Sequence, residues 1–393
     1  MILQVLPSLV TGGVERSTVE IVQAIAEAEG VALVASAGGR MVGMVERAGG
    51  RHFTLPLDTK NPISIRRNAA RLAALIRAHH VSIVHARSRA PAWSAWLACQ
   101  ETGVHFVTTH HGTYGEDLPF KRLYNSVMAR GEIVIAASRF IADLVRQRHG
   151  VAEDRLRIIP RGVDPAVFDP RKVSGDRIAK LVKAWRLPDG ATTIVLPGRL
   201  TAWKGHAVLL DAIARLDRPD VCCVLVGSDQ GRHRYSAALQ AQAERLGIAA
   251  RVRMVGQCDD MAAAFMLSDV VIHASTQPEA FGRVVIEAQA MARPVIAADL
   301  GGPVETVQEG VTGWRVAPGD PDALAVAIRR VLDMPSEERQ RIGGQARAAV
   351  PTVRAMQEAT LDVYETVLGL RRANEPVAAA SPRRETEIIR ERA

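Results

Sequence analysis

The stretch "PEAFGRVVIEA", residues 278–288, sets Glu279 and Glu287 eight positions apart on either side of Phe281-Gly282, and the apolar run "VVIHAS" (270–275) precedes it. A β-branched run, a short loop with a glycine and an apolar segment of helical spacing read as strand, loop and helix; "RPVIAAD" (293–299) supplies the next strand. Short strands that are apolar throughout belong in a parallel sheet covered on both faces. The unit therefore predicts a strand–helix–strand crossover, with its loop at the carboxyl end of a strand, where open α/β sheets bind ligands.

Outward from this unit the same alternation recurs. "MILQVLPSL", "VALVAS", "VSIVHA", "HFVTTH", "EIVIAAS" and "RLRIIP" precede the middle of the chain, and "TTIVLPG", "VCCVLVG", "RVRMVG", "VVIHAS", "RPVIAAD" and "GWRVAP" follow it. A chain of 393 residues exceeds the size at which one hydrophobic core stops growing. Two doubly wound α/β domains are expected. The prolines, charges and glycine of residues 165–190 read as the connection. The expected division is 1–172 and 173–350, then a helical segment over 351–372 that crosses back to the first domain, and a mobile tail over 373–393. Pro351 is expected to break the last helical pattern.

Charged residues make up 23% and apolar residues 48% of the chain, the usage of a folded globular protein. The net charge of +8 is uneven: residues 1–172 hold 22 basic and 15 acidic side chains. That half is expected to meet something anionic. With aromatics at 4% and no basic run interleaved with stacking residues, nucleic acid is the poorer partner. Anionic lipid fits better, and in "SIRRNAARLAALIRAHH" (64–80) Arg66, Arg67, Arg71 and Arg77 alternate with apolar positions. The plainer reading of that segment is a surface helix with a solvated basic face.

No apolar stretch nears the roughly 20 residues that cross a bilayer, and "MILQVLPSLVTGG" reads as a buried first strand instead of a leader. A cytoplasmic location is expected. Cys99, Cys222, Cys223 and Cys258 show no metal or redox spacing and read as reduced core residues.

Several strand ends carry residues suited to a phosphorylated ligand. Gly12-Gly13 stands before a helix whose first N–H groups can hold a phosphate, although a turn without a ligand would use the same pair. His110-His111-Gly112 closes another strand; neighbouring histidines on an extended chain point to opposite faces, which disfavours a shared metal, and His111 is the expected ligand-facing member. Arg199 and Lys204 lie in one loop between Gly198 and Gly205, where two cations can clamp a diphosphate as it leaves. In the opening stretch, about five helical residues at about 1.5 Å each put Glu287 on the order of 8 Å from the helix start. Glu279 and Glu287 can then accept from hydroxyls at the two ends of a sugar–diphosphate–ribose ligand. Asp320-Pro321-Asp322, the one Asp-x-Asp triplet, reads as a helix cap, so no metal is expected.

Over residues 1–372 the chain resembles the retaining GT-B glycosyltransferases of family 4, through "GGVE", "TTHHG", "AASRFIADLV", "IIPRGVDPAVF", "GRLTAWKG", "STQPEAFGRVVIEAQAMARPVIA" and "GGPVETVQEGVTGW". The resemblance implies two facing Rossmann-like domains, the first binding the acceptor and the second the nucleotide sugar, without a cofactor or metal. It implies that Arg199 and Lys204, with the amides of Gly282, Arg283 and Val284 after Phe281, stabilise the departing diphosphate. Glu287 would hold the ribose, Glu279 the transferred sugar, and His111 that sugar from the other domain. Gly13 would allow close approach of the diphosphate or acceptor, and Gly227 and Gln257 would border the base.

On the acceptor side it points to Arg87 and Arg89 of "RSRAPAW" and to Ser138. A UDP-sugar donor and a lipid-linked or lipopolysaccharide-type acceptor at the cytoplasmic face of the inner membrane complete the expectation. Many relatives carry asparagine where Arg161 stands here. A sugar-nucleotide 2-epimerase of the same fold and a non-catalytic nucleotide-sugar scaffold are the alternatives.

Overall fold

The computed structural model describes residues 1–370 except Thr11 and Asp117, so the tail assigned to 373–393 lies outside the described residues. The first sheet contains β1 (Ile2–Val5), β2 (Ala32–Ser36), β3 (Arg51–Thr54), β4 (Ile83–Ala86), β5 (His105–His110), β6 (Ile133–Ala136) and β7 (Leu156–Ile158), all parallel, in the order 3-2-1-4-5-6-7. Helices α1 (Gly13–Glu27), α2 (Val42–Arg47), α3 (Pro62–Ala78), α4 (Arg89–Thr102), α5 (Pro119–Asn125) and α6 (Arg139–His149) cover it.

The second sheet contains β8 (Thr192–Pro197), β9 (Val221–Val226), β10 (Val252–Gly256), β11 (Val270–His273), β12 (Val295–Ala298) and β13 (Trp314–Val316), again parallel, in the order 10-9-8-11-12-13. Its helices are α7 (Gly175–Trp185), α8 (His206–Arg215), α9 (His233–Arg245), α10 (Met261–Leu267), α11 (Arg283–Ala290), α12 (Pro321–Asp333) and α13 (Ser336–Ala349), before a final α14 (Val353–Val367).

Inner strands such as β4 and β9 are buried along their whole length, which is why they read as unbroken apolar runs. β3, "RHFT", escaped that reading. It is an edge strand whose residues are exposed or half-buried, so it carries no such run. Chain order reverses between β1 and β4 and again between β8 and β11, which makes the carboxyl ends of these four strands the two ligand crevices.

The basic segment at 64–80 lies in α3, where Leu72, Ala73 and Ile76 are buried and packed within the first core. Its apolar side belongs to that α/β layer, as the plainer reading held. Asp320 caps α12 by accepting from the amides of Asp322 and Ala323 at 3.0 and 2.9 Å. Cys99, Cys222 and Cys223 are buried and free, with burial raising their thiol pKa values. Among the described residues no helix is long and apolar enough to cross a membrane.

Pro351 separates α13 from α14, and beside it Val163 pairs in parallel with Thr352. There the chain returns to the first domain. Met356, Val363 and Tyr364 of α14 join a core with Ile21, Val22 and Ile25 of α1, and Gln357 donates to the Glu20 carbonyl at 2.7 Å. The Tyr364 hydroxyl lies 2.7 Å from His85 Nδ1 in the interior.

Candidate active site

The second-domain crevice is built from two loops locked together. After β8, a single turn over Ala202–Lys204 holds Lys204, and the Trp203 carbonyl accepts from the Thr276 amide of the loop after β11 at 2.8 Å. This brings Lys204 Nζ to 2.6 Å from Glu279 Oε1, with both side chains largely shielded. His273, the last residue of β11, places Nε2 2.7 Å from the same oxygen, and Ser275 donates to it as well. Burial alone would raise the Glu279 pKa. His273 and Lys204 outweigh burial and hold the carboxyl below the usual range. Arg199, in the same loop as Lys204, is exposed.

α11 starts at Arg283 after Gly282, its first amides only a few residues from Glu279. Glu287 lies one turn further in, 7% exposed. Across the crevice, α1 of the first domain meets it: Arg16 lies 3.4 Å from Glu287, and Arg283, 3.6 Å from Glu287, reaches Glu20 at 2.9 Å. Burial lifts the Glu287 pKa, and Arg283 and Arg16 pull it down. Glu15, also on α1, has its pKa raised by burial and feels Arg199 from the other domain. A Cβ on Gly13 would touch the Arg283 side chain at 3.4 Å, so the two domains already meet at the glycine loop.

The paired histidines diverge. His110 turns into the first domain against Tyr114 and His149, its pKa lowered to about 3 mainly by burial. His111 accepts at Nδ1 from Arg161, which also donates to Ser17 on α1 at 2.8 Å. Burial first, then the cations Arg161 and Arg87, keep the His111 ring neutral far below its ordinary pKa.

Other expected site residues have different placements. Arg87 is 1% exposed and donates inward to Gln4 Oε1 at 2.6 Å and Ser17 at 3.2 Å, so it braces the floor instead of presenting its charge to an acceptor. Arg89 bonds Asn125 at 2.8 Å and stacks over Tyr114 at 4.1 Å within the first domain. Ser138 caps α6 and donates to the Ala280 carbonyl of the other domain at 2.6 Å. Its hydroxyl is an interdomain pin and not a free acceptor contact.

Gly227 has a packing reason to be glycine, since a Cβ there would lie 1.9 Å from the Gly198 carbonyl oxygen. Gln257 is exposed and contacts Asp259 at 3.4 Å. Phe281 is 5% exposed and lies in an apolar cluster, not in a polar site. His273 and Ser275 were missed, although their position at the end of "VVIHAS", just before Glu279, was a readable signal. Arg16 and Glu20 had no signal in sequence, because their partners lie more than 260 residues away.

Two Rossmann-like domains whose ligand loops both open into one shared crevice define the GT-B class of transferases. Residues 178–349 match the group 1 glycosyl transferases, and residues 11–167 match glycosyltransferase family 4. The D-inositol 3-phosphate glycosyltransferase of Jonesia denitrificans is 30% identical over 310 residues, covering 72% of this chain and 71% of that protein. A glycosyltransferase from Rickettsia africae superposes with a TM-score of 0.86 at 34% identity, over 93% of this chain and 98% of its own. HepE from Anabaena, solved with UDP and glucose, gives 0.83 at 25% identity over 93% and 99%. The chain belongs to the group 1, family 4 glycosyltransferases and is a glycosyl-transferring enzyme.

Proposed function

We propose that the protein transfers a sugar from a UDP-sugar to a lipid-linked or lipopolysaccharide-type glycan acceptor, with retention at the anomeric carbon and without a metal. The observation that carries this reading is Glu279 held ionised by Lys204 and His273 beside the start of α11. Lys204, Arg199 and the amides of Gly282–Val284 receive the diphosphate and stabilise its charge as the glycosidic bond breaks. The two cations supply the positive charge that a divalent ion brings elsewhere. Glu279 accepts from hydroxyls of the transferred sugar, and His111 meets that sugar from the first domain. Glu287 takes the ribose diol once half-exposed Arg16 swings aside.

A carboxylate already engaged by lysine, histidine and serine is a positioning acceptor and a poor nucleophile. Retention then proceeds by attack on the face the diphosphate leaves, with a phosphate oxygen taking the acceptor proton. HepE is solved with UDP-glucose, which favours a uridine donor here.

The donor reading is tested by thermal-shift screening of uridine, guanosine and adenosine diphosphate sugars, with and without EDTA, on the wild type and on Glu287→Gln. Stabilisation by the uridine class, indifferent to EDTA and weakened in the variant, is the expected result. Loss of the shift on chelation would overturn metal independence, and no shift with any donor would favour a non-catalytic scaffold. Product analysis without acceptor separates transfer from 2-epimerisation.

On the acceptor side, the support is an exposed apolar and basic patch. Leu118, Phe120 and Leu123 around α5 are 57%, 83% and 61% exposed; between Phe120 and Leu123 lie half-buried Lys121 and exposed Arg122, which donates to the Arg148 carbonyl at 2.8 Å. Such a patch suits the headgroup layer of an anionic membrane, where a lipid-linked acceptor resides. Vesicles containing anionic lipid are expected to retain the protein at low salt and to lose most of it on Phe120→Ser/Leu123→Ser. Equal retention by neutral vesicles, or none by either, would sink the membrane reading.

A further inference from the structure

The side chain of Arg161 has no obvious reason to be where it is. It is 7% exposed, it lies near a second buried arginine, Arg87, and its hydrogen-bond partners are Ser17 Oγ on α1, Met356 Sδ on α14 and His111 Nδ1 at the end of β5. Burial and the neighbouring Arg87 bring its pKa down to about 9, which still leaves it a cation at neutral pH. Among the described residues, no carboxylate hydrogen-bonds to it. Two arginines beneath one crevice are costly to bury, so the contact with His111 calls for an explanation beyond packing.

A guanidinium has donors only. Whatever nitrogen it meets must offer a lone pair, so His111 Nδ1 carries no proton and a neutral ring carries its proton on Nε2. That Nε2 is buried and, among the described residues, has no hydrogen-bond partner. A buried N–H without an acceptor is rare, and here it belongs to the residue assigned to face the transferred sugar.

We propose that Arg161 is a positioning residue: it holds His111 in the tautomer protonated on Nε2, so that His111 meets an oxygen of the transferred sugar as a hydrogen-bond donor and not as a base. The inference rests on the glycosyl-transfer reading only for the identity of that oxygen. An asparagine at 161, offering both an amide and a carbonyl, would permit either tautomer; arginine permits one. The charged and titratable groups acting on the His111 ring are Arg161 and Arg87, His85 of β4 and His110 of β5, with the Tyr114 hydroxyl bonded to the His111 backbone, and none of them is a carboxylate that would favour a second proton on the ring. Below the lowered pKa of Arg161, about 9, the guanidinium stays a donor only and the ring keeps this tautomer.

The test is side-chain ¹⁵N NMR of the histidine-labelled protein without substrate, with His111→Gln used for assignment. The expected spectrum shows a pyridine-like Nδ1 and a pyrrole-like Nε2 for His111, unchanged from mildly acidic to mildly basic pH. The reverse pattern, or two pyrrole-like nitrogens at neutral pH, would overturn the proposal from the wild type alone. Arg161→Met is expected to mix the tautomers and lower kcat by about 10- to 100-fold through misplacement of one contact, with donor affinity little changed. Arg161→Lys, still a donor only, restores the wild-type spectrum. A pure Nε2-protonated ring in folded Arg161→Met would show that arginine does not set the tautomer. Because the spectrum needs no donor, it fails independently of the thermal-shift screen.

Discussion

Replacing Lys204 with methionine is expected to lower kcat by about 10²- to 10³-fold, the usual consequence of removing one preorganised group that stabilises developing charge. The ammonium is set before any ligand arrives: a single turn carries it, Glu279 holds it at 2.6 Å, and the Trp203 ring lies 4.6 Å beneath it. No reorganisation is needed when charge accumulates on the departing diphosphate, and a solvated cation would lack that advantage. The loss falls on kcat more than on donor affinity, because the diphosphate is more negative at its bridging oxygen in the transition state than in the bound donor. Steady-state kinetics with donor titration separates the two. A kcat within about threefold of the wild type in a folded Lys204→Met protein would remove the residue from the mechanism.

Gly205→Ala is expected to cost about 2–6 kcal/mol, combining about 1–3 for a left-handed backbone and about 1–3 for overpacking. Its φ is +75°, and a Cβ there would lie 1.8 Å from the Ala274 carbonyl oxygen at the end of β11. That approach lets the lysine turn lie flush on the strand from which the Glu279 loop departs. The melting temperature of the second domain should fall on the order of 10 °C, with loss of donor binding. Gly231 supplies the control. Its φ of +78° is similar, but among the described residues no atom lies within 4 Å of an added Cβ, so Gly231→Ala should pay for backbone strain alone. Equal melting of the two variants would show that the contact with Ala274 carries no weight.

The fold was legible because inner parallel strands are buried on both faces and advertise it as short apolar runs. "VCCVLVG" and "VVIHAS" needed no partner to be recognised. β3 has solvent on one side, and its residues Arg51–Thr54 follow no pattern separable from a loop. The helix at 64–80 was ambiguous for a different reason, since an amphipathic stripe looks alike whether it faces lipid or another helix. Leu72 and Ile76 buried beside α4 decide that.

In the site, groups carried on one local unit were readable and groups assembled across the crevice were not. Glu279, Arg199 and Lys204 lie on two strand-end loops and Glu287 in the helix that follows one of them, so each belongs to a single strand–loop–helix unit. Arg87 misled because the residue after a strand can turn outward or inward, and only the partners Gln4 and Ser17 show that it turns in. Ser138 misled because a helix cap and a ligand hydroxyl look the same in sequence. Arg161 was noticed as unusual, but its contact with His111 spans fifty positions and two strands.

The return of α14 to the first domain has a consequence for the order in which the protein is made. The apolar side of α1 is finished by Met356, Val363 and Tyr364, and the buried His85 by the Tyr364 hydroxyl. During synthesis the first half of the chain emerges early and then waits, its face uncovered, until almost the whole second half has been translated. The half made first is thus the half completed last, and a ribosome that stalls before residue 353 releases a first domain without its cover.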